Sequence, residues 1–123
     1  MSRGTAERRR AWTAGRRAET LCAWWLRLKG YRILTRNWKT PSGEADIVAR
    51  RGRLLVFVEV KARATHGAGL EAVSPRQQKR VRRAAEIFVA AHPRWAALDM
   101  RFDIMTIAPG GWPTHSPGAW GYD

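Results

Sequence analysis

Four charged residues stand at spacings that could build a cation-binding site. Glu44 and Asp46 are separated by a single residue, and so are Glu59 and Lys61. Alternate residues of a β-strand share one face, so each pair would project to one side of its strand. A tight turn at residues 51–52 would join the two strands as a hairpin. The spacing therefore predicts one acidic cluster that binds a cation.

The hairpin register determines how close the acids come. A two-residue turn at residues 51–52 pairs Ala49 with Leu54 and Glu44 with Glu59, and it places Asp46 diagonal to Glu59, roughly 7–8 Å away. Acids directly opposite one another on a sheet repel, and they are costly to bury without a partner. Either a divalent cation or ion pairs with Lys61 and nearby arginines could offset this repulsion, and the spacing leaves both explanations open.

The donor types limit the metal and suggest its chemistry. Carboxylates without histidine or cysteine favour Mg²⁺ or Mn²⁺ over zinc. Asp46 and Glu59 are the predicted main ligands, with Glu44 and the backbone carbonyl of Val60 as further oxygen donors. Such an ion could polarise a phosphodiester and acidify a water molecule. The ammonium of Lys61 could stabilise the charge that develops on phosphorus.

The overall charge indicates a polyanionic partner. The 123 residues include 23 lysines and arginines against 10 acids, a net charge of +13. Such a protein attracts polyanions, and its binding depends on salt. Nucleic acid is the first candidate and an anionic membrane surface the second. A GC-rich genome that favours arginine codons is an alternative explanation of the charge.

Two further features of the composition bear on the compartment. No apolar run reaches about 18 residues, so no segment is expected to cross a membrane. Cys22 is the only cysteine, which excludes an internal disulfide and a multi-cysteine zinc site. A single reduced cysteine fits the cytosol, and we expect a cytoplasmic protein without a membrane partner.

Periodicity and capping signals define the elements around the predicted cluster. Apolar residues at steps of three and four predict a helix from about Thr5 or Ala11 to Lys29, with Gly30 as its C-cap. A second helix is predicted to begin at Ser74, with Pro75 in its first turn, and to stop before Pro93. Strands are predicted over 31–38, 44–49, 54–61 and 101–107, with a short edge strand near Thr114.

These elements predict an α/β fold in the order α-β-β-β-α-β, with a mixed central β-sheet flanked by helices. The length suits a single domain. We expect residues 1–10 to be a flexible basic N-terminus and residues 11–123 to form the domain. From about residue 108 the chain becomes a tail rich in Gly, Pro and Trp.

The second helix has a basic face that could bind phosphates flanking the cluster. Its candidates are Arg76, Lys79, Arg80 and Arg83, with Arg63 in the preceding loop. A solvated helix face without a ligand is the alternative, because charge runs on helices commonly face water.

The hairpin motif resembles a known family. Residues 43–49 (Gly-Glu-Ala-Asp-Ile-Val-Ala) and residues 55–63 (Leu-Val-Phe-Val-Glu-Val-Lys-Ala-Arg) are similar to the YraN-like family of bacterial proteins. Further matches occur on the first helix and at 30–31, 36–37 and 101–103, with a weak match in the tail, so that the resemblance covers roughly residues 11–120.

The YraN-like family in turn looks like the PD-(D/E)XK nuclease superfamily, and especially the archaeal Holliday-junction resolvases. That resemblance implies a restriction-endonuclease-like fold and the catalytic set Glu19, Asp46, Glu59 and Lys61. Glu44 is an additional acid of the YraN-like pattern, and Ala45 replaces the proline that precedes the superfamily aspartate. From spacing alone, a solvated flank residue near Arg16 is the favoured interpretation of Glu19, and the resemblance makes the functional interpretation equal to it.

The sequence therefore supports three hypotheses about function. The leading hypothesis is a Mg²⁺-dependent endonuclease that hydrolyses phosphodiester bonds in DNA, with branched or repair intermediates as substrates and a homodimer implied by the resolvase resemblance. The alternative is a catalytically inactive nucleic-acid-binding protein with a nuclease-like fold. A third is an assembly factor whose basic surface binds an acidic protein.

Overall fold

The computed structural model describes the backbone of residues 3–62, 73–108 and 110–121, and the side chains of these ranges from residue 15 onward. Within these ranges, two α-helices, a short 3₁₀ helix and five strands follow one another. In chain order they are α1 Arg3–Leu28, β1 Arg32–Thr40, β2 Gly43–Arg51, β3 Leu54–Ala62, α2 Pro75–Ala91, the 3₁₀ helix Pro93–Trp95, β4 Asp99–Ile107 and β5 Thr114–Trp120.

The strands form one open sheet in the order β1-β2-β3-β4-β5. The β3–β4 pair is parallel and the other three pairs are antiparallel. Helix α2 lies between the two parallel strands in sequence, since a parallel pair needs a crossover connection. The predicted α/β class and the order α-β-β-β-α-β are confirmed, and the tail contributes the fifth strand at the edge.

Helix α1 starts at Arg3, within the segment 1–10 that the sequence predicts to be a flexible extension. Its C-terminus is a Schellman motif, as the predicted Gly30 cap requires. The Gly30 N–H donates to the Arg27 carbonyl, and the Tyr31 N–H donates to the Leu26 carbonyl. Gly30 has a φ of 91°, a left-handed conformation that favours glycine. No helix in the described part of the chain is long and apolar enough to span a membrane.

Helix α2 begins and ends at the predicted signals. The Ser74 side chain accepts a hydrogen bond from the Gln77 N–H, Pro75 occupies the first turn, and the helix ends at Ala91 before Pro93. Its buried side chains Val81, Ala84, Ala85 and Phe88 pack on one face of the sheet, against Phe57 and Phe102 among others. Helix α1 covers the opposite face.

The β2–β3 hairpin has a different register from the predicted one. Arg51 pairs with Leu54 across a turn at residues 52–53, and Ala49 pairs with Val56 rather than with Leu54. Gly52 adopts the left-handed φ of 60° that such a turn requires. Continuing this register places Asp46, not Glu44, across from Glu59. The shift is two residues, so side chains keep their predicted faces.

Candidate active site and its relatives

Asp46 is fixed at the end of the β2–β3 ladder. Its Oδ2 accepts a hydrogen bond of 2.8 Å from the backbone N–H of Val60 on β3. The last paired residues before it are Ile47 and Val58, so the carboxylate takes a backbone donor at the point where the two strands stop pairing. Because the donor belongs to the residue between Glu59 and Lys61, this bond ties Asp46 to both.

Glu59 and Lys61 lie beside Asp46, as the sequence predicts. Glu59 Oε1 is 3.8 Å from Lys61 Nζ, and the two side chains are only 12% and 20% exposed. Burial raises the pKa of Glu59 to about 8, helped by the charge of Asp46 and by a hydrogen bond between the two carboxyl groups. Lys61 lowers this pKa and Glu44 raises it. The two acids are therefore most stable when they share a proton or a cation.

Glu44 is an exposed residue of β2. Its charge contributes to the raised pKa of Glu59, so it lies within electrostatic reach of the site. If the β2–β3 pairing is extended beyond its last pair, Ile47 and Val58, Glu44 lies across from Lys61. Glu44 thus stands at the solvent side of the cluster.

Glu19 is a buried residue of α1 with its own cationic partner. Its Oε1 accepts hydrogen bonds from Arg36 Nε at 3.0 Å and from Asn37 Nδ2 at 3.1 Å. Burial raises its pKa, Arg36 opposes that rise, and the charge of Asp46 adds to it. The buried position argues against the solvated flank residue considered above. Arg36 and Asn37 on β1 match the family pattern in the sequence but were not predicted to contact Glu19.

The alternation of side chains on β2 breaks at Asp46. Ala45 packs in the core under α2, whereas Ile47, two residues later, packs in the core under α1. On the neighbouring strand Trp38 pairs with Ala45, and Asn37, opposite the break, has a left-handed φ of 54°. The strict alternation that predicts a single face for Asp46 is therefore wrong at this position.

This break gives Asp46 neighbours on both faces. Val58 and Val60 of β3 pack on the α1 side, so alternation directs Glu59 toward the α2 side. The charge of Asp46 raises the pKa of Glu59 and also that of Glu19, which lies on α1. The structure thus brings Asp46 and Lys61 each into contact with Glu59, and Glu19 is linked to them through the charge of Asp46.

The donor set suits one kind of metal site. Among the residues that the structure describes, no three or more His, Cys, Asp or Glu side chains are arranged as a metal cage. Mg²⁺ does not need one, since it is commonly held by one or two carboxylates together with waters and substrate phosphates. The paired carboxyl groups of Asp46 and Glu59 fit such a shared site, because a cation would replace the proton between them.

The predicted basic residues of α2 also come together. With Ser42 from the β1–β2 turn they line a cavity of about 420 Å³, here called the turn pocket. No acidic side chain in the described ranges pairs with any of the four cations. The cations are Arg76, Lys79, Arg80 and Arg83. Arg63, the fifth predicted phosphate contact, lies outside the described residues.

Backbone contact holds the turn pocket in place. A Cβ built on Gly43 would lie 1.8 Å from the carbonyl oxygen of Arg80, so the turn packs directly on α2. Gly43 is three residues before Asp46 on β2. The pocket therefore lies close to the acids and is attached rigidly to the same strand.

A second buried polar network was not predicted. Asp103 on β4 is fully buried and accepts hydrogen bonds from Arg101, from His115 at 2.7 Å and from the Gly118 N–H. Burial favours a higher pKa for Asp103, yet these bonds lower it overall. Arg101 also donates to the Tyr31 hydroxyl. The signal in the sequence was an acid between Phe102 and Ile104 in a buried strand.

Known proteins resemble this chain along most of its length. The pattern of the family described as "Uncharacterised protein family UPF0102" matches residues 18–107. A UPF0102 protein of Parvibaculum lavamentivorans is 53% identical over 110 residues, which cover 89% of this chain and 83% of the relative. A UPF0102 protein of Chelativorans sp. is 49% identical over 108 residues, covering 88% and 87%. The matched region contains the hairpin and Glu19, Asp46, Glu59 and Lys61, here called the acid site, and it spans most of the chain. The chain therefore belongs to the UPF0102 family, the YraN-like proteins.

Proposed function

We propose that this protein is a Mg²⁺- or Mn²⁺-dependent endonuclease that hydrolyses phosphodiester bonds in DNA. The observation that supports the proposal most directly is the hydrogen bond from the Val60 N–H to Asp46. It joins two carboxylates and a lysine at one place on a strongly basic protein. A purely structural ion pair would need one acid and one base, whereas this site keeps a surplus acid at the cost of repulsion.

When bound, a Mg²⁺ ion held by Asp46, Glu59 and the Val60 carbonyl would supply positive charge that polarises the scissile phosphate and acidifies water. The protein's own groups do the rest. The Val60 N–H keeps Asp46 from rotating away, and the Glu59 carboxylate holds the Lys61 ammonium within 3.8 Å. In hydrolysis a water oxygen forms a bond to phosphorus as the water gives up a proton to solvent, and negative charge grows on the phosphoryl oxygens. Lys61 stabilises that charge. The bond to the leaving oxygen breaks as that oxygen takes up a proton from solvent.

The turn pocket supports nucleic acid as the substrate. Its four cations lie on α2, which packs against Gly43, three residues before Asp46 on β2. They have no acidic partners among the described residues. Phosphate contacts position a duplex without reading its sequence, so the pocket would hold the backbone beside the acids. Branched or repair intermediates, and a homodimer that cuts two strands, extend the proposal by resemblance to the resolvases.

The test is a cleavage assay on the purified protein. Linear duplex, single-stranded and four-way-junction DNA are each incubated with Mg²⁺, with Mn²⁺ or with EDTA. We expect metal-dependent cleavage that falls at least ~100-fold in Asp46→Ala and in Lys61→Ala, because each removes a charge that acts on the phosphate. Glu86→Ala is the matched control, since Glu86 is an exposed acid on α2. Cleavage that persists in both site variants would contradict the proposal.

A second candidate is a nucleic-acid-binding protein without catalysis. One observation favours it: Glu19, the third acid of the predicted catalytic set, is paired with Arg36 and Asn37 instead of lying beside Glu59. In that case the protein binds DNA in a salt-sensitive manner, cuts none of the substrates, and binds equally well with Mg²⁺ or with EDTA. Glu59→Gln would leave that binding unchanged.

A further inference from the structure

A second cationic cavity lies at the other end of the β2–β3 hairpin. It encloses about 590 Å³ and is here called the arginine pocket. Four arginines reach it from four separate segments: the start of β1, the end of β2, the hairpin turn and the 3₁₀ helix. The residues that matter to its chemistry are Arg32, Arg50, Arg53 and Arg94, with Trp95 and Leu98.

The arrangement of these arginines is unfavourable without an anion. Arg32 and Arg50 are direct cross-strand partners on β1 and β2, and like charges in that position repel. No described acid forms a salt bridge with any of the four, although exposed Asp99 directly follows Leu98. An anionic ligand between the guanidinium groups would convert this repulsion into attraction.

Two of the arginines are already held in place. Arg50 Nε donates to the Gly52 carbonyl at 2.9 Å, which positions its guanidinium at the hairpin turn. The Arg94 guanidinium lies 4.2 Å above the ring of Trp95, and the ring itself stacks on Phe88 of α2. Guanidinium groups that are fixed before binding lose less entropy when they bind phosphate oxygens.

The position of the pocket relates it to the acid site. Arg50 is four residues beyond Asp46 on β2, a distance of about 13 Å along the strand. Gly43, against the turn pocket, is three residues before Asp46. Both pockets are lined by α2 or by the 3₁₀ helix that follows it. The acids therefore stand between two cationic pockets, and about 13 Å corresponds to about four base pairs of duplex.

We propose that the arginine pocket binds backbone phosphates of the nucleic acid about four base pairs from the cleaved bond, so that the substrate runs along the hairpin from one pocket to the other. The inference rests on the nucleic-acid substrate of the proposed function, but it does not depend on catalysis. Guanidinium groups bind phosphate oxygens in pairs, and phosphate contacts carry no sequence information, so the pocket would hold DNA of any sequence.

The test compares two double variants of equal charge. Arg53→Gln with Arg94→Gln removes two pocket arginines, and Arg17→Gln with Arg27→Gln removes two exposed arginines of α1. The control is closely matched, because Arg27 lies over the Trp24 ring as Arg94 lies over Trp95. Binding of a labelled 16-base-pair duplex is measured by fluorescence anisotropy in EDTA at several salt concentrations. Thermal melting verifies that both variants fold.

We expect the pocket variant to bind at least ~10-fold more weakly than the control. Its slope of log K against log salt should be shallower by about 1.8, since each lost phosphate contact removes about 0.9. Equal weakening in both variants, or an unchanged slope, would overturn the inference. Micromolar binding of pyrophosphate to the wild type but not to the pocket variant, together with equal duplex binding in both, would also overturn it, since the site would then hold a free phosphate compound.

The assay separates this inference from the proposed function. Binding is measured without a divalent metal, so the absence of cleavage in the nuclease assay leaves the expected loss of binding intact. Conversely, a protein that cleaves DNA while its pocket variant binds like the control would retain the proposed function and lose this inference alone.

Discussion

The backbone N–H of Val60 donates a 2.8 Å hydrogen bond to the Oδ2 of Asp46. This bond connects β2 and β3 just beyond the last pair of their ladder, Ile47 and Val58, and it holds one carboxylate against another, that of Glu59. Burial, the charge of Asp46 and the hydrogen bond between the two groups together raise the pKa of Glu59 to about 8. The protein alone therefore holds Asp46 and Glu59 together although their negative charges repel each other. Such a perturbed pair of acids is typical of a functional site, where a bound cation can offset the repulsion.

Asp46→Asn should retain the fold and lose the response to metal. The amide oxygen of asparagine can still accept from the Val60 N–H, and the substitution removes the negative charge that helps to raise the pKa of Glu59. In EDTA the variant should therefore unfold at the same temperature as the wild type or a higher one. Millimolar Mg²⁺ should raise the melting temperature of the wild type and not of the variant.

Glu86→Gln serves as the control for this melt, since it removes an exposed acid of α2. Its melting temperature should respond to Mg²⁺ as the wild type does. An equal Mg²⁺ response in Asp46→Asn would show that Asp46 takes no part in metal binding.

Asp103→Ala should destabilise the protein by roughly 3–5 kcal/mol, the cost of removing one partner from a buried ion pair. The substitution leaves Arg101 and His115 without their shared acceptor. Urea unfolding measures the loss. Asp99→Ala, an exposed acid at the start of the same strand, should change stability little. Similar losses in the two variants would contradict a special role for the network.

The same network predicts acid sensitivity. Burial alone would raise the pKa of Asp103, but hydrogen bonds from Arg101, His115 and Gly118 bring it below the ordinary value of 3.8. A lowered pKa in the folded state means that the contribution to stability is present above about pH 3.8 and is lost as the pH falls through the folded value. The stability difference between wild type and Asp103→Asn should therefore shrink below pH 3.8 in urea titrations at several pH values. A difference that stays constant down to pH 2 would contradict this.

Two glycines should respond to alanine in opposite directions. Gly43→Ala places a Cβ 1.8 Å from the Arg80 carbonyl oxygen, so the turn or α2 must shift, at a cost of about 1–3 kcal/mol or more. Gly15 lies on α1, and a Cβ added there would meet no atom within 4 Å, so Gly15→Ala should stabilise by about 0.5–1 kcal/mol. Urea midpoints measure both, and a neutral Gly43→Ala would show that the contact is loose.

Cys22 should be nearly inert in the folded protein. Burial raises its pKa to about 12, with smaller contributions from the charges of Asp46 and Glu19. Because the thiolate is the reactive form, alkylation by iodoacetamide at pH 8 should be at least about 100-fold slower in buffer than in denaturing urea. Mass spectrometry follows the modification. Equal rates in the two conditions would indicate that α1 opens readily from the sheet.

The elements of this protein follow from local signals in the sequence. The helix ends are marked by residues that act on their immediate neighbours in the chain, without tertiary information. They are Gly30 after α1, Ser74 with Pro75 at the start of α2, and Pro93 beyond the end of α2. Alternation in the hairpin predicts two adjacent strands. These short-range effects are sufficient for the element order and for the α/β class.

The hairpin register was predicted incorrectly by two residues because Arg51 extends β2 and Gly52 with Arg53 forms the turn. Turn residues alone do not decide between these registers; pairing energy along the whole strand does. An even shift leaves faces unchanged, which is why the prediction of a cluster was not affected.

The amino-acid sequence by itself determined which residues carry the charge of the site, Asp46, Glu59 and Lys61, because their order along two strands fixes their neighbours. Only the tertiary structure decided the place of Glu19. The left-handed Asn37 on β1 and the broken alternation at Asp46 give Asp46 neighbours on both faces, while Arg36 binds Glu19 across the sheet edge. Contacts of this kind join residues that are distant in the chain, and packing of the whole sheet between its helices is what sets them.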